Sequence, residues 1–379
     1  MSRNELPSFG LNRKTFVEID LNAIVQNLTL IKQLVGNDKK LLIAVKADGY
    51  GHGAIQVSKL VEEKGLADFL GVATPLEGIE LREAGLKLPI LILGLILNHK
   101  EVIKTLLDYN LAQTVSDFHL ASEISKGAKV MKKTAKLHLK IDTGMGRIGC
   151  QPEESLAIIK KVSFLDYIEL EGLFSHFPLS DDPSSDFTVE QIRVFRNIIK
   201  ELELMNINIP LKHLANSGAI LNFSDSIFNM IRPGIIAYGY MPSKDCKRVI
   251  DIIPSMTFKS CIIFLKRVKM GTPLSYGHIY KTEKDSNIAT IPVGYGDGYN
   301  RLLSNRGKVI IRNKIYPVVG RVCMDQILVN LGDDEYSLGE EVILFGKKEI
   351  TVETIANWID TIPYEVTCAI SKRVCRSYN

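Results

Sequence analysis

Lys46 closes an unbroken apolar run and is followed by a short, glycine-rich segment, residues 47–53. Burying an ammonium group is costly unless its pKa falls or its nitrogen is used covalently. The sequence therefore offers Lys46 as a reactive amine beside backbone that a ligand can approach closely. Taken alone, the position also fits a lysine whose charged end reaches water at the rim of the fold, and a glycine-rich loop by itself is a weak signal.

Further polar and cationic side chains stand at the ends of other apolar runs. They are Lys140 and Arg147, then His176, then Asn216 and Ser217, and finally Arg232 followed by Gly234 and Ile235. Such a set contains few carboxylates and suits an anionic ligand. The simplest is a phosphate, held by Ser217 and by the backbone amides of Gly234 and Ile235. Taken singly, His176 could be a core histidine and Arg232 a member of a surface ion pair.

The apolar runs alternate with amphipathic helical segments up to about residue 245. The predicted strands are Leu41–Lys46, Phe69–Thr74, Ile90–Gly94, Ala112–Val115, Lys136–Asp142, Glu171–His176, Lys212–Asn216 and Met230–Gly234. The predicted helices are Ala54–Lys64, Pro75–Ala84, Lys100–Tyr109, Asp117–Val130, Glu153–Val162 and Asp186–Met205. Eight strands separated by helices over about 200 residues predict an α/β fold, a (β/α)₈ TIM barrel whose strand ends share one mouth. A doubly wound sheet is the rival, but the absence of an edge-strand signal favours closure.

After residue 245 the pattern changes to alternating strands joined by Gly, Asn and Asp turns, which predicts a mainly antiparallel β domain. Short helices are predicted at Val352–Ile359 and Val366–Cys375. We therefore expect a barrel over 12–245 and a C-terminal β domain over 246–379, on which residues 1–11 could pack. One further strand–helix unit, Phe16–Asp20 and Leu21–Gly36, precedes the first barrel strand and is assigned to the barrel domain.

Composition limits the classes of protein that this chain can belong to. At 379 residues, with 46% hydrophobic and 24% charged residues, it is globular and long enough for two domains. A net charge of +4 without a basic stripe argues against nucleic-acid binding. Neither a membrane span nor a secretory signal is predicted. Six scattered cysteines without metal-ligand spacing predict reduced thiols in the cytoplasm and no metal site.

The run Ala44-Val45-Lys46-Ala47-Asp48-Gly49-Tyr50-Gly51-His52-Gly53 resembles the pyridoxal-phosphate signature of the alanine racemases, a fold-type III family dependent on pyridoxal 5′-phosphate (PLP). The resemblance extends in order through segments spread over nearly the whole chain, which makes it specific. These are residues 16–21, 138–147, 172–176, 213–217, 232–235, 275–277, 294–299, 320–326 and 363–366. The resemblance implies a barrel followed by a β domain, which the apolar pattern predicts independently.

The resemblance implies roles for the strand-end residues. Lys46 would bind PLP covalently and act as one of two catalytic bases. The cofactor's phosphate would be held by Tyr50, Ser217, Tyr364 and the amides of Gly234 and Ile235, with His176 and Asn216 also lining the cofactor site. Arg232 would face the pyridine nitrogen and keep it unprotonated, so that the ring is a weaker electron sink. A racemase tolerates this, because it needs only brief carbanion character.

Racemisation needs one acid–base group on each face of the substrate's Cα. The resemblance implies that Tyr276 is the second base and reaches into the neighbouring subunit of a homodimer. A phenol has a pKa near ~10, and linkage through His176 to Arg232 could lower it. Lys140 matches a position that is often carbamylated in the family. Arg147 and the Met324 amide would bind the substrate carboxylate. Residues matching the substrate's access corridor are Asp181, Tyr295, Arg301 and Arg321.

The implied function is interconversion of L- and D-alanine, which supplies D-alanine for bacterial peptidoglycan. A broad-specificity racemase of the same fold remains an alternative. A PLP-dependent decarboxylase would need a carboxylate-rich pocket and would lack the Tyr276 base, and a PLP-carrier protein would be a single barrel. Two positions depart from the family pattern, Gly296 where alanine is more usual and Cys375 in place of a proline.

Overall fold

The computed structural model describes residues 14–379. These divide into two compact units, one formed by residues 24–253 and the other by residues 14–23 together with 254–379. The bounds differ from the predicted 12–245 and 246–379, because the start of the chain groups with its C-terminal part. Residues 1–11 lie outside the described residues.

The larger unit is a closed barrel of eight parallel strands. The strands are Lys40–Ala44, Phe69–Val72, Ile90–Ile92, Ala112–Val115, Ala135–Lys140, Ile168–Phe174, Leu211–His213 and Met230–Ile231. The first and last strands close the barrel, with Lys40 opposite Met230 and Leu41 opposite Ile231. Inward-facing apolar side chains from six strands fill its interior, namely Leu42, Phe69, Leu91, Ala112, Leu211 and Met230. The predicted barrel is confirmed, and it is a packed core rather than a pore.

Helices follow most barrel strands, and the longer ones bury one apolar stripe. They are Ala54–Glu63, Pro75–Glu83, Lys100–Asp108, Phe118–Met131, Pro152–Ser163, Asp186–Leu204 and Ser217–Asn222, and the helix Leu21–Val35 precedes the first strand. Local caps set where several of them begin. Thr74 and Glu77 form a capping box ahead of Pro75, and the Ser185 hydroxyl accepts from the Thr188 amide. The predicted helices agree with these bounds to within about two residues.

The smaller unit is built on a nine-stranded, mostly antiparallel sheet. Its strands are Phe16–Ile19, Met256–Cys261, Phe264–Val268, Ser286–Ile291, Lys308–Ile311, Lys314–Val319, Ile327–Gly332, Glu341–Phe345 and Cys375–Tyr378. A separate two-stranded ribbon pairs Pro273–Leu274 with Tyr280–Lys281. Two helices, Val352–Ile359 and Pro363–Cys368, complete the unit. The predicted β domain is confirmed as a class.

Two predictions for the ends of the chain are wrong. The strand Phe16–Ile19 does not belong to the barrel unit, since it pairs antiparallel with Met256–Cys261 and parallel with Cys375–Tyr378. The last helix ends at Cys368, so Cys375 lies in a strand. The side chains of Phe16–Ile19 alternate between partly exposed and buried. That is the pattern of a sheet covered on one face, whereas barrel strands are buried on both.

Within residues 14–379, no helix is both long and apolar enough to cross a membrane.

Candidate active site

Lys46 follows the first barrel strand, and the residues directly after it have an unusual backbone conformation. Ala47, Asp48 and Tyr50 all have left-handed φ angles, between 53° and 54°, although none is a glycine. This conformation is costly for residues with a Cβ and clusters at functional sites. Side-chain carboxylates hold it. Asp48 Oδ1 accepts from the Ala54 amide at 3.0 Å, and Glu77 Oε1 accepts from the Ala47 amide at 2.8 Å.

Three groups form a small polar cradle at the ends of the last two barrel strands and the first. The Gly234 amide donates to Ser217 Oγ at 2.9 Å. A Cβ at residue 234 would lie 2.7 Å from Tyr50 Oη and 3.7 Å from Ser217 Oγ, so only glycine leaves this space open. Tyr50 and Ser217 are buried. Two hydroxyls and a main-chain amide around a space that a Cβ would fill suit a bound phosphate.

Asn216 has a structural task beside this cradle. Its Oδ1 accepts from the Ala219 amide at 3.1 Å, which caps the helix Ser217–Asn222, and from the Ser180 hydroxyl at 2.7 Å. These bonds fix the start of the helix and therefore the position of Ser217.

Arg232 is buried, and its N–H groups are directed by acceptors around it. They donate to the carbonyls of His213 at 2.6 Å, Ser175 at 2.7 Å and Leu214 at 3.1 Å. They also contact His213 Nδ1 at 3.0 Å and His176 Nδ1 at 3.3 Å. Burial lowers the pKa of Arg232 to about 9. Burial, together with the charges of Arg232 and Lys140, holds the pKa of His176 well below its usual value, so His176 is neutral and accepts from Arg232.

Lys140 ends the strand Ala135–Lys140 and is buried. Burial, reinforced by the charges of Arg232 and Arg147, lowers the pKa of Lys140 to about 7. A large fraction of this amine is therefore neutral and nucleophilic near neutral pH. The loop that follows bends around Asp142, whose carboxylate accepts from the amides of Gly144, Gly146 and Arg147.

The predicted site residues of the smaller unit lie on its loops. Tyr276 sits between the two strands of the ribbon and is 72% exposed. The preceding Ser275 has φ of 60°, and its hydroxyl donates to the Arg321 carbonyl at 2.7 Å. This bond joins the Tyr276 turn to the segment that carries Arg321 and Met324.

Arg373 connects the loop that contains Asp297 to the loop that contains Met324 and Asp325. Its Nε lies 2.7 Å from Oδ1 of the buried Asp297, and one terminal nitrogen lies 2.9 Å from Asp325 Oδ1 and 3.3 Å from the Met324 carbonyl. A Cβ at Gly296 would lie 2.6 Å from that nitrogen, so glycine at this position leaves Arg373 room.

The predicted residues thus fall into two sets. The predicted residues of the barrel unit lie at or after the carboxyl ends of strands, and they are Lys46, Tyr50, Lys140, Arg147, His176, Asp181, Asn216, Ser217, Arg232, Gly234 and Ile235. In the smaller unit, Tyr276, Tyr295, Arg301, Arg321, Met324 and Tyr364 lie outside the strands of the large sheet. Among residues 14–379, no cluster of His, Cys, Asp and Glu has the makings of a metal site.

Sequence reasoning gave no role to Arg373, His138, His213 or Glu171, which the structure places around the predicted residues. His138 was detectable, because it stands two positions before Lys140 and therefore on the same face of the strand. Glu171 carried no such signal.

A closed (β/α)₈ barrel with a lysine and a polar cradle at its strand ends, together with a mainly antiparallel β unit, defines a class of two-unit barrel proteins. The family model described as alanine racemase, N-terminal domain, matches residues 19–242, and the one described as alanine racemase, C-terminal domain, matches residues 255–378. The chain belongs to the alanine racemase family and is an isomerase.

Individual relatives agree over nearly their full lengths. The alanine racemase of Halothermothrix orenii is 43% identical over 372 residues, which cover 97% of each chain. The solved structure of alanine racemase from Clostridium difficile 630 has a TM-score of 0.94 and 42% identity, covering 97% of this chain and 96% of that one. A structure of alanine racemase from Bartonella henselae with covalently bound pyridoxal phosphate has a TM-score of 0.86 and 26% identity, covering 97% and 99%.

Proposed function

We propose that this chain interconverts L-alanine and D-alanine with PLP as its cofactor. The observation that carries the proposal is the convergence, at one barrel mouth, of Lys46, the cradle of Tyr50, Ser217 and Gly234, and the buried Arg232. When bound, PLP withdraws electrons from the α-carbon of an amino acid and so makes its α-proton removable.

The donors of the barrel mouth fit this cofactor. Lys46 would hold it, and the cradle hydroxyls with the Gly234 and Ile235 amides would bind its phosphate, with Tyr364 as a further ligand. Arg232 donates to carbonyls on several sides, so its guanidinium is held as a hydrogen-bond donor. With a pKa of about 9 it keeps its protons at neutral pH. A donor that is held in this way leaves the cofactor's ring nitrogen unprotonated, which suits a reaction that moves only one proton.

Two bases are needed, one for each face of the α-carbon. Lys46 would serve one face and Tyr276 the other. The exposed phenol of Tyr276 supports a role toward a second copy of the chain, and we propose a homodimer in which each site combines Lys46 of one subunit with Tyr276 of the other.

The substrate's carboxylate would bind Arg147 and the Met324 amide. A carbamate on Lys140 would place an anion beside Arg147 and neutralise a crowded group of cations, because Arg232 and Arg147 both act on Lys140. Its pKa of about 7 leaves the neutral amine that carbamate formation needs. Asp181, Tyr295, Arg301 and Arg321 would line the access corridor.

The alternatives differ in what they require. A PLP-carrier protein has no use for a second unit bearing Tyr276, and a decarboxylase for basic amino acids needs distal carboxylates. A broad-specificity racemase differs only in the volume of its pocket. We place the enzyme in the cytoplasm, where it would supply D-alanine for peptidoglycan. The thiols of Cys150, Cys246, Cys261 and Cys323, which form no disulfide, fit a reducing compartment.

The test uses the purified holoenzyme. It should be yellow, racemise L-alanine, and lose its colour on borohydride reduction, leaving a pyridoxyl group on Lys46 that mass spectrometry locates. A panel of other L-amino acids separates an alanine racemase from a broad-specificity enzyme. An adduct on Lys140 or Lys59 would remove the basis of the assignment, and failure to racemise any amino acid would reject the function.

A further inference from the structure

A continuous line of hydrogen bonds crosses the barrel interior and ends on Arg232. Lys136 Nζ lies 2.6 Å from Glu171 Oε1, and His138 Nε2 lies 3.1 Å from Glu171 Oε2. His138 Nδ1 lies 2.8 Å from His213 Nε2, and His213 Nδ1 lies 3.0 Å from an Arg232 terminal nitrogen. We call these five residues the Glu171 relay. Both histidines have no exposed surface, and Glu171 is buried.

The two ends of the relay fix the position of every proton in it. Arg232 can only donate, so His213 Nδ1 accepts and His213 carries its proton on Nε2. That proton is donated to His138 Nδ1, so His138 also carries its proton on Nε2 and donates it to the Glu171 carboxylate, which can only accept. Each histidine is then neutral with both nitrogens satisfied, which is the form that complete burial favours.

The charges support the same arrangement. Burial holds the pKa of His138 and of His213 below the usual value, and the positive charge of Arg232 acts in the same direction on both. Burial opposes ionisation of Glu171, but hydrogen bonds from His138 and Lys136 overcome it and lower the pKa of Glu171. Among the described residues, every group that accepts from Arg232 is a carbonyl or a histidine nitrogen. Glu171, which is ion-paired with Lys136, therefore reaches Arg232 only through the two histidines.

A β-bulge in the strand Ile168–Phe174 makes room for the relay. Along the strand Ile168–Phe174, Leu170 lies opposite Leu137 and Gly172 opposite His138, so Glu171 is an extra residue in a bulge. A Cβ at Gly172 would lie 2.1 Å from His138 Nδ1, so glycine is required for the histidine to occupy its place.

We propose that Glu171 is a positioning residue for Arg232. Through His138 and His213 it fixes the direction of an Arg232 N–H group, so that Arg232 stays a donor toward the cofactor's ring nitrogen. This inference rests on the proposed function, since it assigns Arg232 its cofactor.

The primary readout concerns the protons and does not depend on activity. In wild-type holoenzyme, ¹⁵N spectra of labelled histidine or a neutron structure should show His138 and His213 protonated on Nε2 and bare on Nδ1. The opposite tautomer on either residue would overturn the relay.

The second test compares Glu171→Gln with Glu169→Gln. The control removes a carboxylate from the same strand, and Glu169 also lies near Lys136, at 3.8 Å. Glu169 is exposed, however, and does not contact His138. For Glu171→Gln we expect a shift in the absorption maximum of the bound cofactor. We also expect a loss of kcat of about tenfold to a hundredfold, the range seen when an outer hydrogen-bond partner of a ligand is removed. The KM for alanine should be unchanged, since Arg147 and Met324 are untouched.

Glu169→Gln should match wild type in all three measurements. If Glu171→Gln fails to fold, Gly172→Ala provides a second variant, because its methyl group would displace His138. It should shift the same absorption band. Identical spectra and kcat for Glu171→Gln and Glu169→Gln would overturn the inference while wild-type racemisation still upheld the proposed function. A wild-type protein that racemises nothing would instead fail the function itself.

Discussion

The Gly234 amide donates to the Ser217 hydroxyl at 2.9 Å, across a space that a single methyl group on Gly234 would fill. The φ of Gly234 is −117°, outside the left-handed region that favours glycine. The cradle therefore exists only because residue 234 has no Cβ.

Gly234→Ala should weaken PLP binding by about tenfold or more, equivalent to ~1.4 kcal/mol. The added methyl group would lie 2.7 Å from Tyr50 Oη, in the space assigned to the phosphate. Titration of apoenzyme with PLP, followed by absorbance, measures the change. Gly78→Ala is the control, because it adds the same methyl group inside the helix Pro75–Glu83, where a Cβ meets only side-chain carbons of Leu111 and Ile90 at 3.1 Å or more. Equal cofactor affinity in both variants would refute the cradle.

Lys140 should carry a carbamate when bicarbonate is present. Its pKa of about 7 means that the reactive neutral amine is abundant above pH 7 and is lost by protonation as the pH falls below it. We expect a carbamate ¹³C signal from labelled bicarbonate above pH 7 and its decline at lower pH. In Lys140→Ala the signal should be absent and the activity low, with partial recovery on addition of short carboxylates. A high-resolution map showing an unmodified Lys140 with bicarbonate present would contradict this.

Shared active sites predict recovery of activity in mixed dimers. Lys46→Ala and Tyr276→Phe should each be nearly inactive, because one face of the α-carbon lacks its proton carrier. Co-expression should give half mixed dimers, each with one intact site, so about a quarter of wild-type activity should return. If Tyr276 acted within its own chain, no mixed dimer would hold an intact site and nothing would be recovered.

The same Tyr276→Phe variant should keep its colour and still exchange the α-hydrogen of one alanine enantiomer in D₂O. The family resemblance assigns D-alanine to Lys46, so that enantiomer should be D-alanine. Equal exchange of both enantiomers would mean that Tyr276 is not the second base.

Arg373→Ala should destabilise the protein by about 1–3 kcal/mol, because it removes the cation from a buried Asp297 carboxylate. It should also raise the KM for alanine, since Arg373 binds the Met324 carbonyl. Thermal unfolding and steady-state kinetics measure the two effects. Arg193→Ala, which breaks an exposed pair with Glu190, should leave both unchanged. Equal melting temperatures for the two variants would contradict the argument.

The sequence by itself determined the barrel, the β domain and the residues at the strand ends. Eight apolar runs at regular spacing are a local property, and a parallel barrel is the arrangement that buries them on both faces. The motif runs then placed Lys46, Ser217 and Arg232 where strands end, since the carboxyl ends of parallel strands share one mouth.

Only the tertiary structure decided which sheet the strand Phe16–Ile19 joins and what surrounds Arg232. A short alternating strand has the same local pattern whichever edge it pairs with, and its partners lie more than 230 residues away along the chain. The Glu171 relay depends on an extra residue in the strand Ile168–Phe174, which turns a carboxylate toward His138. No local pattern signals a bulge of one residue, because it arises from the pairing of two strands.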